Sequence, residues 1–303
     1  MAAELIPHWP GRMVGSVHVR STPDGAPEQA VFVHGLAGAA TNWTDLMDEL
    51  KDVVTGHAID LPGAGHSPAP EDGDYSVAAH ARAVIGLMER TGPAHLFGNS
   101  LGGAVAVRVA AERPRLVRSL TLISPALPDL LPRYGPVRVA AAATPRLGEW
   151  VADKLRLVPA EQRINASFAM VWANVGAVHP VRLRDAVEEL RRRDDLPYAG
   201  AAMIGSARGI VAEYFAEYFR RGADSLWRCA ARVQAPTLII HGRHDRLVRP
   251  AMAAKAARTF QQVRLVLLPR AGHVAMMEMP SVVAAEARRL IGETRLGNAP
   301  LTG

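Results

Sequence analysis

The sequence predicts an α/β protein: a mostly parallel β-sheet flanked by helices, with an α-helical block inserted after the strand that ends near Ser124. Three observations carry that expectation. Short β-branched runs alternate with helical stretches along most of the chain, the pattern made by parallel strands joined through crossover helices. One apolar run enters the turn Gly98-Asn99-Ser100-Leu101-Gly102-Gly103 and leaves it as a small-residue helix, Ala104-Val105-Ala106. Between about Leu127 and Ala231 the strand rhythm stops.

Taken in order, Val14 to Val19 and Ala30 to His34 read as strands, and Thr41 to Leu50 as a helix opened by a Thr-Asn cap. Val53 to Ile59 reads as a strand. Ser76 to Arg90 reads as a helix that stops before the breaker Thr91-Gly92-Pro93. The strand Ala94 to Gly98, the helix Leu101 to Glu112 and the strand Val117 to Ser124 follow. Toward the C-terminus the pattern resumes with the strand Thr237 to His241, the helix Ala251 to Phe260 and the strand Arg264 to Leu268. A last helix begins near Ser281, with fraying expected after Gly292.

The block Leu127 to Ala231 reads as four or five helices punctuated by Pro132, Pro136, Pro145, Pro159, Pro180 and Pro197. A helical insertion whose two ends both return to the sheet is most simply a lid over one sheet edge. The expected organisation is a core domain of residues 1–126 and 232–303 and a helical cap of residues 127–231.

Composition excludes several classes. Of 303 residues, 49% are hydrophobic and 21% charged, which rules out a disordered chain. A single cysteine, Cys229, excludes an internal disulfide and a thiolate cluster. The most apolar stretch, Leu96 to Ala111, is interrupted by Asn99, Ser100 and Arg108 and falls short of the roughly 18 residues a spanning helix needs, so no membrane span is expected. The opening MAAELIPHWPGR has no basic stretch leading into an apolar block, so no secretory leader and a cytoplasmic location are expected. The net charge of +6 does not point to nucleic acid. Lysine occurs only at positions 51, 154 and 255, arginine dominates, and the longest basic run, Arg191-Arg192-Arg193, is followed at once by Asp194 and Asp195.

The chemistry centres on Ser100. A Gly-x-Ser-x-Gly turn between a strand and a helix is so tight that its flanking positions must lack side chains, and it leaves the serine hydroxyl standing at the top of the sheet. A serine hydroxyl needs a base, and the base needs orienting. Asp245 lies in His241-Gly242-Arg243-His244-Asp245, just after the strand Thr237 to Ile240, and His273 lies in Ala271-Gly272-His273, after the strand Arg264 to Leu268. Both follow the C-terminal ends of expected parallel strands, on the same sheet edge as Ser100, where open α/β sheets place ligands.

With these residues in view, the chain resembles the α/β-hydrolase superfamily over Ala30 to Ile291. The resemblance rests on His34-Gly35-Leu36-Ala37-Gly38, on Asp60-Leu61-Pro62-Gly63-Ala64-Gly65-His66-Ser67, on the turn at Ser100, and on the Asp245 and His273 loops, in that order. It implies a serine-nucleophile, helical-cap esterase with Ser100, His273 and Asp245 as triad and an oxyanion hole from the main-chain N–H groups of Leu36 and Leu101. It implies no cofactor and no metal. It makes His34 a residue that holds its loop rather than a base, and it makes Asp60, Gly63, Gly65 and Ser67 shapers of a turn beside the site. Some members carry the acid after the strand that follows the nucleophile helix; here that strand ends Leu122-Ile123-Ser124-Pro125 with no carboxylate before Asp129, which leaves Asp245.

Other residues have two readings each. Trp43, Met170, Trp172, Met276 and Met277 are candidates to line an acyl pocket, with core packing as the alternative. Tyr214, Phe215 and Tyr218 at helical spacing first mean a buried stripe. Glu278, before Pro280, reads as a helix-start residue rather than a second acid. His241 and His244 flank Asp245 without the further ligands a metal would want. A serine at position 100 excludes the epoxide hydrolases and haloalkane dehalogenases of this fold, which use an aspartate nucleophile. The expected reaction is cleavage of a small-molecule carboxylic ester. Carbon–carbon bond hydrolysis, perhydrolysis and thioester cleavage remain open with the same triad, as does a non-enzymatic ligand receptor. The arginine-rich insert raises a carrier-bound acyl ester as a further partner, against simple coding bias.

Overall fold

In a computed structural model that describes residues 5–129, 144, 147–217 and 225–297, eight strands form one sheet. They are β1 (Gly11–Val14), β2 (Val17–Ser21), β3 (Glu28–Val33), β4 (Val54–Ile59), β5 (Ala94–Asn99), β6 (Val117–Ile123), β7 (Thr237–Gly242) and β8 (Val263–Leu268). Their order across the sheet is β1-β2-β4-β3-β5-β6-β7-β8. From β4 to β8 every neighbouring pair is parallel, and β1 and β2 complete one edge antiparallel. The expected mostly parallel sheet is therefore present.

Helices cover both faces, and the period of two within the strands decides which residues each face receives. Val31, Val33 and Ile239 belong to one core cluster with residues of α2 (Val77–Thr91), α3 (Leu101–Glu112), α8 (Leu226–Arg232) and α9 (Pro250–Thr259). Their strand neighbours Ala30, Phe32, Leu238 and Ile240 belong to a second cluster with residues of α1 (Thr44–Leu50) and α11 (Pro280–Gly297). Because both faces are covered, β4, β5 and β7 are buried along their whole length. Each fully buried Val, Leu or Ile adds about 1.5–3 kcal/mol over an exposed one. Ser76 caps α2 by accepting the Ala79 N–H at 3.1 Å, and Gly92, at φ 88°, ends it.

Between β6 and β7 the described residues form α4 (Leu147–Arg156), α5 (Ala160–Val171), α6 (Pro180–Asp194) and α7 (Ala199–Phe215) ahead of α8, and no strand. The boundary expected at Ala231 falls inside α8, whose Leu226, Cys229 and Ala230 pack in the same cluster as α3. Pro132, Pro136, Pro145 and Tyr218 lie outside the described residues.

Several boundaries differ from the sequence reading, each for a local reason. The single strand expected over Val14 to Val19 is a hairpin, because Gly15 adopts φ 63° and turns the chain so that Val14 pairs with Val17. The helix expected from Thr41 starts instead as a 3₁₀ turn, Ala40–Trp43, with Asn42 accepting the Ala39 N–H at 2.9 Å, and becomes α-helical at Thr44. The last helix continues to Gly297, past the expected fraying point. Ahead of it lies a short helix that carried no capping signal, α10 (Ala275–Glu278), so Glu278 ends a helix rather than starting one. Phe215 is 59% exposed, so no buried stripe runs through it.

Candidate active site

The loops that follow β3, β5, β6, β7 and β8 meet at the C-terminal edge of the sheet, with Leu36 after β3, Ser100 and Leu101 after β5, Asp245 after β7 and His273 after β8. Ser100 follows β5 in a strained conformation, φ 54° and ψ −115°. Such a backbone costs about 1–3 kcal/mol and persists only where its surroundings over-determine it. Here the Ser100 N–H donates to the Ile123 carbonyl (3.1 Å), and its own carbonyl accepts from Ala104 (3.1 Å) and Ala126 (2.9 Å). The glycines of the turn are required by contact. A Cβ on Gly102 would lie 2.1 Å from the Val33 carbonyl oxygen, and one on Gly98 2.4 Å from that of Gly102.

Asp245 and His273 are brought together across 28 residues of sequence. The His273 Nδ1–H donates to Asp245 Oδ2 at 2.9 Å, and both residues are buried. The other carboxylate oxygen, Oδ1, accepts the N–H groups of Leu247 (2.8 Å) and Val248 (2.9 Å). Burial alone would raise this carboxyl. The adjoining His273, with His241 at 3.6 Å and the Val248 N–H, outweighs burial and holds it at about 2. Asp245 is therefore ionised at neutral pH. An ionised, doubly held carboxylate fixes the tautomer of the imidazole it faces and leaves Nε2 as the ring's free basic position.

Two residues to which the sequence assigns no such role position this pair. The Asn99 amide donates to the His273 carbonyl and to the Ile123 carbonyl, each at 3.0 Å, so the residue before Ser100 grips the histidine loop. The Glu278 carboxylate accepts the Gly272 N–H and the Ala173 N–H, each at 2.7 Å, while the His273 N–H donates to the Val171 carbonyl at 2.7 Å. Gly272 lies flat against this strip, where a Cβ would come within 2.6 Å of the Val171 oxygen. The end of α5 is thus bonded through the main chain to the loop that carries His273. Asn99 was visible only as a letter inside the turn pattern, and Glu278 only as an acid five residues past His273.

The β3 loop is held by His34. Its Nε2 accepts the Leu61 N–H at 3.0 Å, which places the proton on Nδ1, donated to the Gly35 carbonyl at 2.8 Å. Burial lowers its pKa, so the ring is neutral and fully used by the two loops it joins. Asp60 ties the neighbouring turn, accepting from Ala40 (2.6 Å), His66 (3.0 Å) and His18 Nδ1 (2.8 Å). Burial pushes its carboxyl up, but these donors hold it below the usual range. Ser67 donates to the Asp60 carbonyl at 2.6 Å.

Among the described residues, no protein acceptor takes the main-chain N–H of Leu36 or Leu101. Both residues line a small cavity of about 30 Å³ between the β3 loop and the helices α6 and α7, with Ala37, Arg193, Ala202 and Met203 among its other walls. None of the expected acyl-pocket residues borders it. Trp43 is buried in the core with its ring 5.4 Å from Phe32, Trp172 packs on Phe168, and Met276 is buried behind the His273 loop. Met170 is half-buried near the end of α5. Among the described residues, no group of three or more His, Cys, Asp or Glu is placed to hold a metal, and no helix is long and apolar enough to cross a membrane.

Comparison with known proteins agrees with this architecture. Residues 31–280 match the family model for the alpha/beta hydrolase fold. The chain is 27% identical to a 2-(acetamidomethylene)succinate hydrolase of Mesorhizobium japonicum, covering 93% of this chain and 95% of the relative. It is 26% identical to a pimeloyl-[acyl-carrier protein] methyl ester esterase of Aeromonas salmonicida, covering 88% and 97%. Among solved structures, the haloalkane dehalogenase DbeA of Bradyrhizobium elkani superposes with a TM-score of 0.78 at 21% identity, covering 95% and 98%.

Proposed function

This chain belongs to the α/β-hydrolase family, and from that premise we propose that it is a serine hydrolase that cleaves a carboxylic ester through an acyl-enzyme on Ser100. The observation that carries the reading is the buried hydrogen bond from His273 Nδ1 to the ionised Asp245, on the same sheet edge as a serine held in a strained turn. A serine with no base beside it would have no use for such a dyad.

In the proposed reaction His273 Nε2 takes the proton of the Ser100 hydroxyl as its oxygen attacks the ester carbonyl. Asp245 stabilises the imidazolium that forms and keeps its ring oriented. The oxyanion rests on the N–H groups of Leu36 and Leu101, which have no acceptor among the described residues and belong to residues that border one cavity. The carbon–oxygen bond to the leaving alcohol then breaks, with the proton passing from His273 to the alcohol. Water adds to the acyl-enzyme by the same route and releases the carboxylic acid. Side chains and water supply every step.

We assign the helices between β6 and β7 the part of a cap over this edge. Four contacts support that part: Arg193 to the Ala37 carbonyl, Arg192 to the Gly65 carbonyl, Ser206 to His80, and the Val171 strip on the His273 loop. A cavity of about 30 Å³ has room for roughly two waters, so an acyl group enters by displacing the wall that α6 and α7 provide.

The test is hydrolysis of a p-nitrophenyl ester series from acetate to palmitate, with Ser100→Ala alongside and fluorophosphonate labelling of both proteins. Labelling of the wild type at Ser100, and ester turnover that vanishes in the variant, is the expected result. Turnover that survives Ser100→Ala would overturn the reading. Labelling without turnover of any simple ester would shift the substrate toward a carrier-bound ester, as in the Aeromonas relative, or toward a carbon–carbon bond.

A further inference from the structure

Arg193 closes the cavity beside the proposed oxyanion hole, and it differs from the other arginines of its run. Arg191 pairs with Glu161, Arg192 with Glu189, and Arg163 across the same cleft with Asp194 at 2.5 Å. Arg193 has no carboxylate partner among the described residues. Its one hydrogen bond goes from a terminal nitrogen to the Ala37 carbonyl at 3.2 Å, in the loop that also presents Leu36. Ala37 holds a positive φ of 61° there, which aims that carbonyl toward α6. The side chain is half-buried, and burial lowers its pKa against the pull of Asp194 and Glu189. A planar guanidinium has five donors, and one is in use.

The surroundings say what could complete it. Leu36, Ala37, Leu101, Ala202 and Met203 make much of that wall apolar, and its other polar side chains, His34, His80 and Ser206, carry hydrogen bonds within the protein, so a ligand placed there pairs an apolar stem with one charged end. Neither nearby histidine competes with Arg193 for an anion, because His34 is neutral and burial depresses His80 to about 4. On the far side of Arg193, a second cleft is bordered by Arg156, Arg163 and Asp194, so the approach from that side is also net positive. An anion would enter down a favourable field and finish on an unpaired fork.

Resting on the serine-hydrolase reading above, we propose that Arg193 binds a carboxylate carried by the acyl part of the substrate, so that the substrate class is a half-ester of a dicarboxylic acid with an apolar spacer. The guanidinium fork takes the two carboxylate oxygens, the spacer lies along Ala202 and Met203, and the ester carbonyl reaches the Leu36 and Leu101 N–H groups. Arg193 thereby selects substrate by charge at one end and leaves the chemistry to the other.

The experiment uses two fluorophosphonate probes with the same alkyl spacer, one ending in a carboxylate and one in a methyl group. Rates of Ser100 modification are followed by intact mass on the wild type, Arg193→Gln and Arg193→Lys. The wild type should react at least tenfold faster with the carboxylate probe. Arg193→Gln should lower that ratio by at least tenfold, the effect of losing a charged hydrogen-bond partner. Arg193→Lys should retain an intermediate ratio, keeping the charge without the fork. A ratio of one in the wild type, or a ratio unchanged in Arg193→Gln, would overturn the proposal, since a residue that only braces the β3 loop changes both rates together. Failure of both probes to modify Ser100 would overturn the serine-hydrolase reading and this proposal with it; equal rates would overturn this proposal alone.

Discussion

The side-chain amide of Asn99 donates to the main-chain carbonyl of His273 at 3.0 Å, joining two residues 174 positions apart. The same amide donates to Ile123, whose carbonyl also accepts the Ser100 N–H, so one side chain ties the nucleophile turn, β6 and the histidine loop together. Asn99 is buried, and its removal takes this donor from the His273 carbonyl while the Ile123 carbonyl keeps only the Ser100 N–H. Asn99→Ala should cost about 1–3 kcal/mol of stability and lower kcat/KM by more than tenfold, because the loop carrying the base is released. Thermal melts and ester kinetics at a temperature where the variant is folded check the two parts separately. Asn99→Asp should be worse than Asn99→Ala, since a carboxylate would face two carbonyl oxygens.

Asp245→Asn tests the orientation of the base. An amide keeps one acceptor for the Leu247 and Val248 N–H groups but can present an NH₂ to His273 Nδ1, reversing the tautomer. Turnover should fall on the order of a thousandfold or more while the melting temperature changes little, as in other triads. Steady-state kinetics beside a melt would show it, and a loss under tenfold would contradict the assigned role.

Glu278 holds the α5 strip against the His273 loop through two N–H groups. Burial raises its carboxyl above the usual carboxylate range, against the pull of those donors. Glu278→Ala leaves both N–H groups without an acceptor and should cost about 2 kcal/mol or more. Its kcat/KM should fall several-fold, with Glu278→Gln intermediate because an amide oxygen can still accept. Kinetics that match the wild type in both variants would show that the strip does not position His273.

His80 and His95 are buried, and burial holds each at about 4. In the unfolded chain a histidine titrates near 6.5. Between those values the unfolded state binds the extra protons, so stability rises with pH and is lost as pH falls below about 6.5. Going from pH 7.5 to pH 5.5, the two together should remove about 3 kcal/mol. Urea unfolding at the two pH values checks it, and replacing His95, which bonds Ser119 within the sheet at 2.7 Å, by a residue that does not titrate should reduce the pH-dependent loss by about 1.4 kcal/mol.

Much of the fold was legible in one dimension because its determinants are local or periodic. Alternation within β3 and β7 assigns Val31 and Ile239 to one face and Phe32 and Ile240 to the other. The strand–turn–helix at Ser100 announces itself through glycines that only a close backbone approach requires, as Gly102 against Val33 shows. The positions of Asp245 and His273 follow from the same logic, each a few residues past a strand end on one sheet edge. Local rules failed where one residue changed the backbone, as at Gly15, or where a four-residue helix had no cap to mark it.

Contacts made across the sequence were decided by the tertiary structure alone. Trp43, Trp172 and Met276 looked like pocket residues because size and apolarity do not tell a cavity from a core, and all three are core. Asn99 and Glu278 carry no periodic signal, since their partners lie 174 and 105 residues away. The run Arg191-Arg192-Arg193 is three equal letters in the sequence. Folding supplies Glu161 to the first and Glu189 to the second, and turns the third toward the β3 loop with no carboxylate of its own among the described residues. A sequence states which groups can bear charge, bond or pack. Which of them are left unpaired, and beside what, depends on distances that exist only once the chain has closed on itself.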